Sequence, residues 1–184
     1  MMARTLFLLG FAAALLTGVG CSNGSSGGST TVALSCSDGG AAGANVVTMS
    51  CGGETDATTE QVNFVMGGPA AGTTTLQGLN FDVTYDPARV EFVPAASYTS
   101  PRFPGAIVLV QLFNDQQGRV VVSIQHTAGV LESVGPGQHD VLSLSFRSLT
   151  GTTFGLAPLT FENTEATNAS TPVSFVGGLA LSYQ

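Results

Sequence analysis

Leu76–Pro94 reads LQGLNFDVTYDPARVEFVP. Leu79, Phe81, Val83 and Tyr85 alternate with Asn80, Asp82 and Thr84. A period of two puts the apolar set on one face of a strand and the polar set on the other. Asp86-Pro87 ends that strand, because proline has no N–H to donate and its ring restricts the residue before it. A second short strand, Val90–Val93, follows at once. The stretch therefore specifies a half-buried sheet with a tight corner.

The same pattern extends in both directions. Upstream, Thr59–Met66 alternates Val62, Phe64 and Met66 against Gln61, Asn63 and Val65. Downstream, Ala106–Phe113 (AIVLVQLF) is a continuous apolar run, as expected of a strand covered on both sides. Asn114–Gly118 reads as a hairpin connection, with glycine available for positive φ. Arg119–His126 then pairs back, with Val120, Val122 and Ile124 inward and Val121, Ser123 and Gln125 outward. Leu131–Gln138, with its Gly-Pro-Gly, reads as an irregular loop.

Asp140–Arg147 alternates Leu142, Leu144 and Phe146 with Ser143 and Ser145. Phe154–Phe161 is interrupted by Pro158, which implies an edge position or a bulge. Glu162–Thr171 reads as a polar connector, and Pro172–Tyr183 closes the chain with a bulge expected at Gly177-Gly178. Outside the first residues no segment of a dozen shows a 3.6 period. The reading is an all-β, antiparallel β-sandwich of about nine short strands.

Composition agrees. Only 9% of the 184 residues are charged and 24 are glycine, which suits strands and turns better than long helices. Lysine is absent, and the net charge of −7 disfavours nucleic acid or an anionic membrane surface as partner.

Met1–Gly20 carries one early positive charge, Arg4, then an apolar run from Leu6 to Leu16, then small residues. It reads as a signal peptide, since the run is too short to cross about 30 Å of hydrocarbon. Cys21 follows directly, and the segment resembles the bacterial lipobox, in which the cysteine is lipidated and becomes the mature N-terminus. Ordinary secretion, with Cys21 a stray thiol, is the alternative. Residues 21–31 then form a lipid-anchored Gly/Ser linker; about ten such residues span roughly 16–19 Å root-mean-square. The folded domain is expected over 32–184, exported and held at the bacterial outer membrane or cell surface.

Cys36 and Cys51 lie in similar contexts, Val32–Cys36 and Val47–Cys51, each a short strand, joined by the turn-forming Ser37–Gly40. In an oxidising compartment they are expected to form a disulfide worth about 3 kcal/mol. A metal site is the alternative, but no CxxC and no nearby histidine supplies the remaining ligands. Two histidines, His126 and His139, are too few for a rich metal site, and no cofactor is expected. No Gly-x-Ser-x-Gly, P-loop or HExxH occurs, so the chain does not read as an enzyme.

Three segments together resemble the cohesin family. They are Leu79–Tyr85 with Asp86-Pro87 and Val90-Glu91-Phe92; the Asp140–Arg147 strand; and Val173–Gly178. The resemblance covers roughly Val46–Gln184. It implies a nine-stranded sandwich of jelly-roll topology and a non-enzymatic binding role, with a dockerin-type protein docked on one flat outer sheet face. Carried onto this chain, that face would present Asn80, Asp82, Thr84, Val121, Ser123 and Gln125. The wider superfamily includes carbohydrate binders, so a polysaccharide ligand is the alternative. With no tryptophan and Tyr85 inward, only Tyr98 and Tyr183 could stack on a sugar.

Overall fold

The computed structural model describes residues 33–37, 40–113, 118–149 and 155–183, and the side chain of residue 183 is not among them. The expected signal peptide, Cys21, the Gly/Ser stretch and residues 114–117 of the 114–118 connection lie outside that set. The described residues form thirteen strands and no helix. In chain order these are β1 Leu34–Ser37, β2 Val46–Asp56, β3 Thr59–Gly67, β4 Thr74–Leu76, β5 Gly78–Thr84, β6 Val90–Val93 and β7 Ile107–Leu112. Then come β8 Arg119–Gln125, β9 Glu132–Val134, β10 Gln138–Ser148, β11 Gly155–Thr167, β12 Ser174–Phe175 and β13 Gly178–Tyr183.

Two sheets stack. One has the order β1-β13-β11-β5-β8-β7, the other β12-β2-β3-β10-β6, and a two-stranded ribbon β4-β9 closes one end. All pairings are antiparallel except the short β12-β2 contact. The expected alternation is observed: Leu79, Phe81 and Val83 face Val62, Phe64, Met66, Leu142, Leu144 and Phe146 across one buried core. Phe64, Phe81, Phe161 and Phe175 interlock at its centre, with ring centroids 5.1 to 5.9 Å apart. Phe64 and Phe81 are fully buried, which contributes about 1.5–3 kcal/mol each before the further gain from edge-to-face contacts, and Phe161 and Phe175 are partly buried against them.

The corner after β5 forms as the sequence implies. Asp86 accepts a hydrogen bond from the Ala88 N–H through Oδ1 (2.9 Å), and its carbonyl accepts from Arg89 and Val90. This is an Asx turn, which a side chain this short makes readily.

Several local expectations are corrected. Cys36 and Cys51 are disulfide-bonded, but β1 and β2 are not a hairpin: β1 pairs with β13 in one sheet and β2 lies in the other. The bridge therefore staples the two layers. Leu131–Gln138 contains β9, and the polar connector from Glu162 is the second half of β11, in which residues 162–165 are exposed. Pro158 sits in an interior strand, not at an edge; it is tolerated because β5 has ended at that level, so only β13 needs a partner there. Gly177 marks no bulge. It adopts φ +93° where the chain leaves β12 in one sheet and enters β13 in the other.

The largest correction concerns Ala106–Phe113. β7 is an edge strand with one face open, and Ile107 and Leu109 are 70% and 53% exposed.

Candidate docking surface

The outer face of the six-stranded sheet collects all six residues of the expected face. Register sets Asn80 opposite Ser123, Asp82 opposite Val121, and Gly78 opposite Gln125. The two strands lie close because Gly78 carries no side chain; a Cβ there would stand 2.1 Å from the Ile124 carbonyl oxygen.

The polar side chains bond to one another along the sheet. Asn80 Oδ1 accepts from Ser123 Oγ (2.7 Å) and Gln125 Nε2 (3.1 Å), and Gln125 Nε2 also donates to Thr167 Oγ1 on β11 (3.0 Å). Thr84 and Thr160 share a hydroxyl–hydroxyl bond of 2.6 Å. A face whose polar groups are satisfied laterally is flat and loses little on being covered.

Asp82 behaves differently from the rest. It belongs to the outer face yet is only 4% exposed. β11 bulges between Glu162 and Glu165, with Asn163 at φ +46°, and the Asn163 amide donates to Asp82 Oδ2 at 2.5 Å. From the other side the Arg119 guanidinium forms an ion pair with the same oxygen at 2.9 Å and lies 4.9 Å from the Phe113 ring centroid. Asp82 thus anchors the face from beneath and is not available as a contact.

The structure adds residues that the sequence reading did not place here. Ile107, Leu109 and Gln111 of β7 stand beside Gln125, Ser123 and Val121 in register, and Phe113 follows, 49% exposed. On the opposite flank, β11 presents Thr160, Glu162 and Glu165 to solvent. The surface is therefore graded: an apolar row along β7, a satisfied polar centre on β5 and β8, and an acidic margin on β11. Large exposed apolar side chains gathered on one strand mark an interaction surface more often than chance scatter does.

Elsewhere the titratable groups are structural. Arg102 from the 94–106 loop pairs with Glu132 of β9 at 2.5 Å and donates to the Ser133 carbonyl. These Arg102 contacts pin the loop to the ribbon, and buried His126 places Nε2 3.6 Å from the same carboxylate, beyond hydrogen-bond reach. His139 Nε2 lies 2.8 Å from the Gly135 carbonyl. Among the described residues no group of three His, Cys, Asp or Glu side chains is placed to hold a metal. Tyr98 packs nearly parallel to Phe92 (centroids 6.5 Å, 21° between planes), and its hydroxyl accepts from the Ala95 N–H.

Comparison with solved structures shows a cohesin-like fold. The seventh type I cohesin of the scaffoldin ScaB from Pseudobacteroides cellulosolvens matches with a TM-score of 0.52 at 10% identity, over 72% of this chain and 87% of that one. The second type II cohesin module of the ScaA scaffoldin from Acetivibrio cellulolyticus matches at 0.50 and 15%, over 72% and 86%. The sixth cohesin of scaffoldin B from the same organism, solved in complex with a mutant Cel5 dockerin, gives 0.50 and 15%, over 72% and 93%. No family model matches the sequence, and no curated protein does. The Cys36–Cys51 bridge fits an oxidising environment.

Proposed function

We propose that this chain is a non-enzymatic binding module that docks a dockerin-type protein on the outer face of its six-stranded sheet. The observation that carries the reading is the exposed row Ile107, Leu109 and Phe113 beside a flat polar centre. The grading selects the partner's chemistry: an apolar stripe to cover β7, with cationic or amide donors to meet Glu162 and Glu165. Asn80, Thr84, Val121, Ser123 and Gln125 form the middle of the contact, while Asp82 holds its shape. A solved relative of the same fold carries a dockerin, which supports the class of partner.

The polysaccharide reading has less behind it. Tyr98 is tied to Phe92 and to the Ala95 N–H, and Tyr85 is buried, so neither ring stands free as a platform. The leader, lipidation of Cys21 and the 21–31 tether complete the proposal: the domain is displayed on the cell envelope, which Cys21→Ser would test by releasing it from the membrane fraction.

The docking experiment is calorimetric titration of purified dockerin modules from the same genome into the full chain. At least one is expected to bind, and Val121→Arg and Leu109→Asp are each expected to weaken it 30-fold or more, the size of a central contact of about 2 kcal/mol. No binding by any dockerin, or binding untouched by both substitutions, would refute the reading.

A further inference from the structure

The free edge of the six-stranded sheet carries a second message, independent of the docking reading. Main-chain bonding around β8 alternates strictly. His126 N donates to Gln77 O and Tyr85 N to Gly118 O, so the even-numbered residues of β8 bond to β5. Phe113 N donates to Arg119 O, so the odd-numbered residues of β8 bond to the odd-numbered residues of β7. It follows that Val108, Val110 and Leu112 direct their N–H and C=O groups off the sheet, where no described strand pairs with them.

Exposed edges are usually guarded by charge, proline, a bulge or brevity. The other edges here follow that rule. β6 carries Glu91 paired with Arg147, β12 has two residues, and β1 is stapled through Cys36. β7 has none of these: its six residues pair with β8 without a register shift, and no charged residue occurs from Phe103 to Phe113.

We propose that β7 pairs antiparallel with β7 of a second copy of this chain, about a two-fold axis at Val110, joining two six-stranded sheets into one. The register follows from the free groups. Ala106 N already donates to Phe103 O, so the available set is Val108, Val110 and Leu112, which is centred on Val110. Val110 then faces Val110, and Val108 faces Leu112, with two bonds at each such pair. The same register sets Ile107 of one copy opposite Phe113 of the other, and Leu109 opposite Gln111, so every exposed apolar side chain of the row gains a neighbour. Because the edge itself is uncharged, repulsion between two chains of net charge −7 acts only at a distance and is screened beyond roughly 8 Å at physiological salt. A contact one strand long lies at the low end of specific interfaces, so the dimer is reversible and grows with concentration.

Sedimentation equilibrium of the full chain, with amide exchange at the same concentrations, tests this. The weight-average mass is expected to rise from monomer toward dimer. The Val108, Val110 and Leu112 amides should slow tenfold or more, while Ile107, Leu109 and Gln111, already bonded to β8, should not change. Val110→Pro removes an N–H that serves no bond within the sheet, so it should leave the fold intact and abolish the association. A monomer at every concentration, association that survives Val110→Pro in a folded protein, or protection gained elsewhere would overturn the proposal. Val121→Arg, which lies on the face and off the edge, should leave the dimer unaltered, so loss of docking and loss of dimer are separable.

Discussion

Removing Arg119 should cost more stability than removing its partner Asp82, and the difference can be worked from their surroundings. The Asp82 side chain is 5% exposed and that of Arg119 32%. In Arg119→Ala the carboxylate stays buried with, among the described residues, the Asn163 amide as its remaining side-chain donor. An uncompensated buried charge costs about 3–5 kcal/mol; the surviving amide donor, and water entering the vacated space, place the value near the lower end. Loss of the guanidinium from the Phe113 ring adds about 0.5 kcal/mol. In Asp82→Asn the arginine keeps its ring and reaches water, so the loss is that of the ion pair and of the charge on the oxygen that accepts from Asn163, about 1.5 kcal/mol. Urea unfolding of both single variants and the double variant should give about 3.5, 1.5 and 2 kcal/mol, a strongly non-additive cycle. At about 2–4 °C per kcal/mol for a domain of this size, Arg119→Ala should melt roughly 7–14 °C lower. Equal losses for the two single variants, or an Arg119→Ala loss below about 1 kcal/mol, would show that Asp82 is not the buried anchor described above.

Three further outcomes are expected. Phe81→Ala empties the centre of the aromatic cluster and should cost about 3–5 kcal/mol by chemical denaturation, with the unfolding cooperativity retained. Cys36→Ser should lose about 3 kcal/mol, reproduced in the wild type by adding reductant and absent when reductant is added to the variant. Stability should also rise as pH falls through the weakly acidic range. Glu60 is 2% exposed and its Oε2 has no hydrogen-bond partner among the described residues; burial first, and the nearby Glu54 carboxylate second, push its carboxyl above the ordinary value of 4.5. The native state therefore holds this proton more tightly than the unfolded chain, and stability declines as pH climbs from about 4.5 through the raised value. Glu60→Gln should flatten that slope in thermal melts, and an unchanged slope would sink the assignment. Asp56, held low by the Thr58 hydroxyl and N–H, works in the opposite sense at lower pH, from a fully exposed position.

Much of the sandwich was legible because its strands carry one-sided information. Phe81 and Asp82 cannot exchange faces without burying a row of polar groups, so alternation fixes both the strand and its orientation. The misreadings arose where the deciding neighbour is far away in sequence. Ala106–Phe113 looks doubly covered because an apolar run signals two buried faces; nothing within the run reveals that only the inner face of its sheet is packed against a second layer. Asp82 reads as a surface contact until the β11 bulge, 81 residues downstream, folds Asn163 over it. Val32–Cys36 and Val47–Cys51 look alike locally, yet β1 finds its partner in β13 at the far end of the chain. The candidate face was half legible for the same reason: β5 and β8 declare their polar sides, whereas β7 conceals its role.

The inter-layer cystine also shapes how the domain bears tension. Cys36 sits two positions beyond Leu34, at the outermost strand of its layer. A pull on the chain ahead of Leu34 would otherwise peel β1 from β13 one bond at a time, as a zip opens. With the cystine closed, the pull crosses at once to Cys51 and is shared by the long β2-β3 ladder of the opposite layer. The first strand of the domain is thereby held by both layers, through its ladder to β13 and through the covalent link to β2.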